Sequence, residues 1–382
     1  MNIEALNLRG KPLKTLKGNV SELQPSDGDT TTFERMQTLH ELHFSDSRTL
    51  NEVETESVDL VLTSPPYPMI QMWDRHFSGL NPEIKTAIAA GNGREAFELM
   101  HQELDKTWRE VTRVLRNGGI VCVNIGDATR SLGGTFQLFS NQSRITQTFE
   151  SMGFHALPRI LWRKQTNKPN KYMGSGTLPV GAYVTLEHES ILIFRKDGQR
   201  GFEGKEKWLR RRSAFFWEER NLWFSDIWED LKGVTQELNR PQTRKRSAAF
   251  PFELAYRLIN MYSIICDTVL DPFLGTGTTM AAAITCARNS IGYEIDRSLK
   301  AIIMKRVPES VLNANEIVAE RLKAHRAFVE RRIAKGKKLI HRSRRYGFPV
   351  VSRQEADIAF LVPARYWKND GTIEVEYSEW KR

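Results

Sequence analysis

Two short stretches of this 382-residue chain hold residue types whose spacing could do chemistry. The first, Thr63-Ser64-Pro65-Pro66-Tyr67-Pro68, closes the apolar run Val58 to Leu62. Consecutive prolines donate no backbone hydrogen bond and hold φ at about −65°, so the carbonyls of Ser64 and Pro65 become fixed acceptors at the end of a strand. An exocyclic aromatic amine suits such acceptors. Its lone pair is delocalised, and acceptors on its hydrogens push the nitrogen toward sp³ and restore nucleophilicity toward a sulfonium methyl. Tyr67 adds a ring on which a base rotated out of a duplex would stack. The second stretch is Thr268-Val269-Leu270-Asp271-Pro272-Phe273-Leu274-Gly275-Thr276-Gly277-Thr278-Thr279, followed by the helix-forming Met280-Ala281-Ala282-Ala283. A strand, a tight Gly-x-Gly turn and a helix N-terminus let the backbone approach a nucleoside cofactor at the carboxyl end of a sheet. Glu294 follows, ending a second strand-like run, where its carboxylate can take both hydroxyls of a ribose. The missing third glycine argues against NAD, and the missing Gly-Lys-Ser/Thr against a phosphate loop.

Other residues narrow the reaction. Covalent addition to a ring carbon of a base needs a cysteine thiolate. Cys122 lies inside an apolar strand, Cys266 follows Ile264-Ile265, and Cys286 falls on a helix after the glycine loop. None reads as a nucleophile, so one-step transfer to an amine is preferred. Nor are the three spaced for a disulfide framework or a zinc site. The eight histidines show no HExxH or other ligand spacing, and no metal is expected.

These residues need a scaffold. β-rich runs near 40–44, 58–63, 119–125, 155–162, 188–195, 267–271 and 290–294 alternate with helical patterns such as Ala96 to Leu115, where Arg116-Asn117-Gly118-Gly119 reads as a C-cap signal. The alternation predicts a largely parallel α/β sheet. Residues 163–246 break the rhythm and read as an inserted module whose small core would be Trp208, Phe215, Phe216, Trp217, Trp223, Phe224 and Trp228.

Lys and Arg number 56 against 46 Asp and Glu, a net charge of +10. Between Arg321 and Arg345 lie eleven basic residues and one acid, Glu330, a net of +10 equal to the charge of the whole chain. Val318, Leu322, His325, Val329 and Ile333 follow helical spacing there, so one face would pack while the other presents cations such as Arg331 and Arg332 to a phosphate backbone. Further cations cluster at Arg159, Arg163, Lys164, Lys168 and Lys171, and at Lys205, Lys207, Arg210, Arg211 and Arg212. Three clusters point to a polyanion. No apolar run approaches the ~18 residues of a membrane span, and the first residues form no secretory signal, so a soluble, cytoplasmic protein is expected.

Ser64-Pro65-Pro66-Tyr67 resembles the Ser/Asp/Asn-Pro-Pro-Tyr/Phe motif of the DNA amino-methyltransferases, and Asp-Pro-Phe-x-Gly-x-Gly-Thr-Thr is similar to their S-adenosylmethionine loop. Serine in first place looks most like the cytosine-N4 enzymes; adenine-N6 enzymes more often carry Asp or Asn. The reactive motif precedes the cofactor motif, the order of the permuted β class. The resemblance covers roughly residues 38 to 306. It implies a seven-stranded, mostly parallel, Rossmann-like sheet with 267–271 and 290–294 as its first two strands, 40–44, 58–63 and 119–125 as the next three, and 155–162 with 188–195 as a terminal antiparallel pair. Ser64, Pro65, Pro66 and Tyr67 would be catalytic. S-adenosyl-L-methionine would be held by Asp46, Ser64, Ser247, Phe250, Pro251, Asp271, Pro272, Phe273, Gly275, Gly277, Thr278 and Glu294. Arg246 departs from the His that many relatives place before Ser/Ala-Ala-Phe-Pro.

The domains expected are an N-terminal segment 1–37, a catalytic half 38–165, a target-recognition insertion 166–240, a cofactor half 241–306 and a basic extension 307–382. Arg163, Lys164, Arg210, Arg211, Arg212, Arg331 and Arg332 are candidates for DNA contact. Met69, Gln71, Met72, Trp73 and Asp74 would form a loop over a flipped base. The partner implied is double-stranded DNA with a short specific site, a restriction endonuclease of the same system would act beside it, and a homodimer could use strand-like runs in the tail. The expected activity is N4 methylation of cytosine by base flipping; the alternatives are an adenine-N6 enzyme on the same scaffold, a catalytically silent DNA-binding module, and an RNA or protein-glutamine methyltransferase.

Overall fold

The computed structural model describes residues 36–164, 173–232 and 250–381. Ten strands form one mixed sheet: β1 Met36–His43, β2 Val58–Thr63, β3 Leu115–Ile125, β4 Phe154–Arg163, β5 His188–Lys196, β6 Ile227–Trp228, β7 Thr268–Asp271, β8 Asn289–Tyr293, β9 Leu361–Asn369 and β10 Thr372–Glu379. Their order is β6-β4-β5-β3-β2-β7-β8-β1-β10-β9. The central five, β3-β2-β7-β8-β1, are parallel. β5 runs antiparallel between β3 and β4, and β10 and β9 continue antiparallel from β1. The helices are α1 Asp74–Leu80, α2 Pro82–Ala89, α3 Gly93–Val114, α4 Asn141–Ser151, α5 Gly204–Arg212, α6 Trp217–Trp223, α7 Phe252–Tyr262, α8 Thr278–Thr285 and α9 Lys300–Ala334.

Helices cover both faces of the sheet, which is why β2 reads as a continuous apolar run rather than an alternating one. Leu60 and Leu62 join Leu254 and Leu258 of α7 and Ala282 of α8 in one core. Val61 faces the other way, into the core that holds Met100, Leu104, Trp108 and Val111 of α3. The buried positions of α3 recur every three or four residues, the stripe that a helix on a sheet needs. Each fully buried side chain of this size contributes roughly 1.5–3 kcal/mol.

All seven candidate strands lie in the sheet, but three more extend it, so its width is ten and not seven. β9 and β10 form a hairpin that covers the edge of β1, with His40 opposite Ile373 and Thr38 opposite Val375. Residues 307–382 are therefore no separate extension: α9 runs through the boundary at 306, and β10 continues the sheet. The limits 166–240 also fail as one module, because β5 lies inside them and is an interior strand. The aromatics expected to form its own core are shared out instead. Phe216 packs with Val318, Leu322 and Phe360, Trp223 and Trp228 pack with α7, Trp208 sits against the core at the sheet edge, and Trp217 and Phe224 are exposed. The signal Arg116-Asn117-Gly118-Gly119 marks no C-cap turn. β3 begins directly after α3, and these residues form an irregularity where Val58 pairs with Leu115 but Leu60 with Ile120. Gly118 has φ 75° there, and a Cβ would stand 2.6 Å from the Arg200 nitrogen.

On α9, Val318, Leu322, His325 and Val329 are buried as expected, whereas Ile333 near the helix end is 55% exposed. Arg321 fastens this helix to α6 and α7. Its guanidinium donates to both carboxylate oxygens of Glu219 at 2.6 and 2.7 Å and to the Tyr256 hydroxyl at 3.0 Å. Glu219→Ala strands that buried cation. The expected loss is about 3 kcal/mol, read as a lower midpoint in urea unfolding.

Candidate active site

A cavity of about 500 Å³ opens at the carboxyl ends of β1, β2, β7 and β8, the place where doubly wound sheets bind ligands. Ser64, Pro65 and Pro66 reach it from β2, Asp271, Pro272, Phe273 and Gly275 from β7, Glu294 from β8 and Asp46 from β1; Phe250 and Thr278 line it as well. Trp73 and His76, around the start of α1, close another side.

Asp271 organises the loop. It is buried, and its carboxylate accepts from Thr63 Oγ1 at 2.7 Å, Thr279 Oγ1 at 2.6 Å and the Phe273 nitrogen at 3.0 Å. One side chain thus ties the end of β2, the turn after β7 and the start of α8. Burial pushes its pKa up to about 6, although the three donors oppose the shift. The turn itself needs left-handed backbone at Gly275 (φ 57°) and Gly277 (φ 83°), and a Cβ on Gly277 would come within 3.1 Å of Ile303. Glu294 holds the far side: Oε2 accepts from the Gly275 nitrogen and Oε1 from the Asp296 nitrogen, both at 2.8 Å. Its carboxylate is thus oriented by two backbone N–H groups. Asp46 is less free than expected. Burial raises its pKa, but hydrogen bonds and charge from Arg48 outweigh that and hold it below the ordinary range. The Arg48 side chain also donates to Glu103 at 2.7 Å.

Several expected residues stand elsewhere. Gly277 and Pro251 are not among the residues that line the cavity, and Ser247 lies outside the described residues. Tyr67 is not a free platform: its ring is buried against Gly126 and does not line the cavity. Its hydroxyl donates to Glu189 Oε2 at 3.0 Å and meets Asn124 Nδ2 at 2.9 Å and Ser64 Oγ at 3.1 Å. Burial, with Glu189 beside it, raises its pKa well above the usual phenol value.

The basic candidates divide in the same way. Arg212 is buried and stacked on Trp208, 3.6 Å from the ring centroid, so it is withdrawn as a DNA contact. Lys164 is bound to Glu189 at 2.8 Å, and Arg163 to Glu187 and Glu229. Arg210 is exposed overall with its guanidinium over the Phe202 ring, and Arg211 is exposed. Arg331 and Arg332 sit near the far end of α9, roughly 45 Å along the helix from Lys300 at ~1.5 Å per residue; the cavity does not include them.

Glu189, Asn124 and Arg48 went unseen in the sequence. Glu189 carries a legible signal, an acid at the mouth of the apolar run Ser190 to Phe194. Nothing local marks Asn124 as a partner of Tyr67.

The chain from residue 58 to 305 matches the family model described as DNA methylase. It is 53% identical over 347 residues to the Type II methyltransferase M.MthZI of Methanothermobacter thermautotrophicus, covering 90% of this chain and 96% of that one. It is also 53% identical to the Type II methyltransferase M.MjaI of Methanocaldococcus jannaschii, over 71% of this chain and 91% of the relative. A Thermus thermophilus protein solved in complex with S-adenosyl-L-methionine superposes with a TM-score of 0.55 at 32% identity, covering 71% of this chain and 96% of its own.

Asp271 gives the site a pH signature. A carboxyl whose pKa is higher folded than unfolded contributes stability while it is protonated, and that contribution fades as pH rises through the folded value. Wild type should therefore lose stability between about pH 4 and pH 6 relative to Asp271→Asn. Paired urea titrations across that range check the difference, and parallel curves would contradict it.

Proposed function

Because the chain belongs to the DNA methylase family, as a site-specific Type II methyltransferase of the restriction–modification kind that takes its methyl group from S-adenosyl-L-methionine, we propose that its target is the exocyclic N4 amine of cytosine in duplex DNA. The observation that carries this reading is Ser64: it heads Ser-Pro-Pro-Tyr, the form typical of the cytosine-N4 enzymes it resembles, and with Pro65 and Pro66 it lines the cavity. The reactive strand β2 precedes β7 by some two hundred residues yet pairs directly with it, Leu60 against Val269 and Val61 against Leu270. That supports the permuted order.

The cavity fits the cofactor on its own terms. Its volume lies within the ~300–1,000 Å³ of small-molecule sites. Among its lining residues the carboxyls of Asp46, Glu103, Asp271, Glu294 and Asp296 outnumber the guanidiniums of Arg48 and Arg75, which suits a ligand with a sulfonium and an ammonium. Glu294 would accept from the ribose hydroxyls, Gly275 and Gly277 would let the backbone approach, and Phe250 and Phe273 would supply apolar walls. Bound there, S-adenosyl-L-methionine supplies an electrophilic methyl: the amine lone pair forms the new carbon–nitrogen bond, the carbon–sulfur pair stays on sulfur, and one amine proton leaves to solvent.

The chain's own contribution is positioning. The Pro65 carbonyl and one oxygen of Ser64, its carbonyl or its hydroxyl, accept the two amine hydrogens and localise the lone pair, with the target base turned out of the helix. Arg210 and Arg211 are exposed on α5, but Glu206 of that helix meets Arg116 at the start of β3, the end of the sheet opposite the cavity, so they would touch only DNA that reaches around to that side. The enzyme would work on cytoplasmic DNA and protect it from a cognate endonuclease.

The test is to incubate the protein with unmodified genomic DNA and methyl-labelled S-adenosyl-L-methionine, digest to nucleosides and identify the product. N4-methylcytosine is expected; N6-methyladenine would overturn the inference from Ser64. Glu294→Ala should raise the Kd for S-adenosyl-L-methionine by roughly 10–100-fold, the worth of hydrogen bonds to a charged group. Pro65→Ala should lower turnover while leaving that Kd unchanged, as equilibrium binding beside single-turnover rates would show.

A further inference from the structure

Behind the reactive turn lies a set of polar groups that the methyl transfer itself does not use. Glu189 is the second residue of β5, which runs antiparallel to β3, so it stands at the same end of the sheet as the carboxyl ends of β2 and β3. Its Oε2 accepts from Tyr67 Oη at 3.0 Å and from Asn124 Nδ2 at 2.7 Å; its Oε1 accepts from Lys164 Nζ at 2.8 Å. Ringed by three donors, one of them a cation, both oxygens act as acceptors.

This fixes the direction of every hydrogen bond back to the cavity. Tyr67 has one hydroxyl proton, and it goes to Glu189. A carboxylate oxygen at 2.7 Å requires Asn124 to present its nitrogen, and that nitrogen also donates to Tyr67 Oη at 2.9 Å. The remaining contact of Tyr67 Oη, with Ser64 Oγ at 3.1 Å, has only one arrangement left: Ser64 donates and Tyr67 accepts. The single proton of Ser64 is thereby committed, and its oxygen keeps only acceptor capacity. An Asp or Asn at this position would offer an acceptor oxygen unaided. A free hydroxyl would not, since it can turn its own proton toward an amine hydrogen.

Building on the amine-methylation reading, we infer that Glu189 is a positioning residue that, through Tyr67, makes the Ser64 hydroxyl oxygen an obligate acceptor for the target amine. Lys164 belongs to the same device, because it holds Glu189 from the other side and leads into the segment that follows β4.

The experiment uses the full chain and duplex DNA in which methylation by wild type has been shown. Single-turnover methyl transfer and the Kd for S-adenosyl-L-methionine are measured for Glu189→Gln, Tyr67→Phe and Ser64→Ala, and for each of the first two combined with Ser64→Ala. Glu189→Gln and Tyr67→Phe are each expected to slow transfer about 10-fold, the scale of one hydrogen bond, with the Kd unchanged. In the Ser64→Ala background neither should slow it further, because the chain acts only through Ser64. Tyr67→Phe keeps the ring and the carboxylate, so a folding failure of Glu189→Gln would leave the cycle readable. Losses that multiply undiminished on Ser64→Ala would overturn the inference and leave Glu189 a purely structural residue. Wild type that methylates no DNA would instead refute the underlying reading, before any variant is compared.

Discussion

One buried carboxylate holds the two halves of the chemistry together. Asp271 ends β7, yet its oxygens are taken by Thr63 at the end of β2, Thr279 in α8 and the Phe273 nitrogen in the turn between. The reactive segment begins one residue after Thr63 and the glycine turn four residues after Asp271. Their separation in space is therefore set by a 2.7 Å hydrogen bond rather than by two hundred residues of chain. Such an arrangement is costly, since burial opposes the charge of Asp271 and each donor recovers only part of the lost hydration. The return is a fixed relation between acceptor carbonyls and cofactor cradle, and a small misplacement of reacting groups is expensive in rate.

The central sheet was legible because its strands are buried on both faces and bounded by turn residues, so β2, β3, β5 and β7 announce themselves by composition alone. The glycine turn was legible for a different reason: left-handed backbone at Gly275 and Gly277 leaves a residue-type signature. What stayed hidden depends on contacts distant in sequence. The β9–β10 hairpin finds its place only through β1, more than three hundred residues earlier. The aromatics of 208–228 look like one cluster in the sequence, but their apolar surface is divided among cores built by α7, α9 and the sheet edge. Tyr67 misled in the same manner. Its neighbours predict a reactive tyrosine, whereas its burial is decided by Gly126 and Glu189, which local spacing cannot reveal.

The distribution of charge follows from what each region must bind. The cavity is acidic, with five carboxyls among its lining residues against two guanidiniums, while the whole-chain excess of +10 equals that of residues 321 to 345. Part of that basic run is consumed internally, Arg321 by Glu219, Arg344 by Asp357 and Arg345 by Glu379. Opposite fields can coexist in one domain because screening at physiological salt limits exposed charges to about 8 Å. Cations roughly 45 Å along α9 neither repel a cationic ligand from the cavity nor steer a phosphate toward it. They act only on what touches them, so net charge alone says nothing about the catalytic end. At the carboxyl end of β4, Lys164 and Arg163 already have carboxylate partners. A phosphate placed there would have to replace one anionic partner with another, and at Lys164 that partner is Glu189, the carboxylate that also holds Tyr67 of the reactive turn.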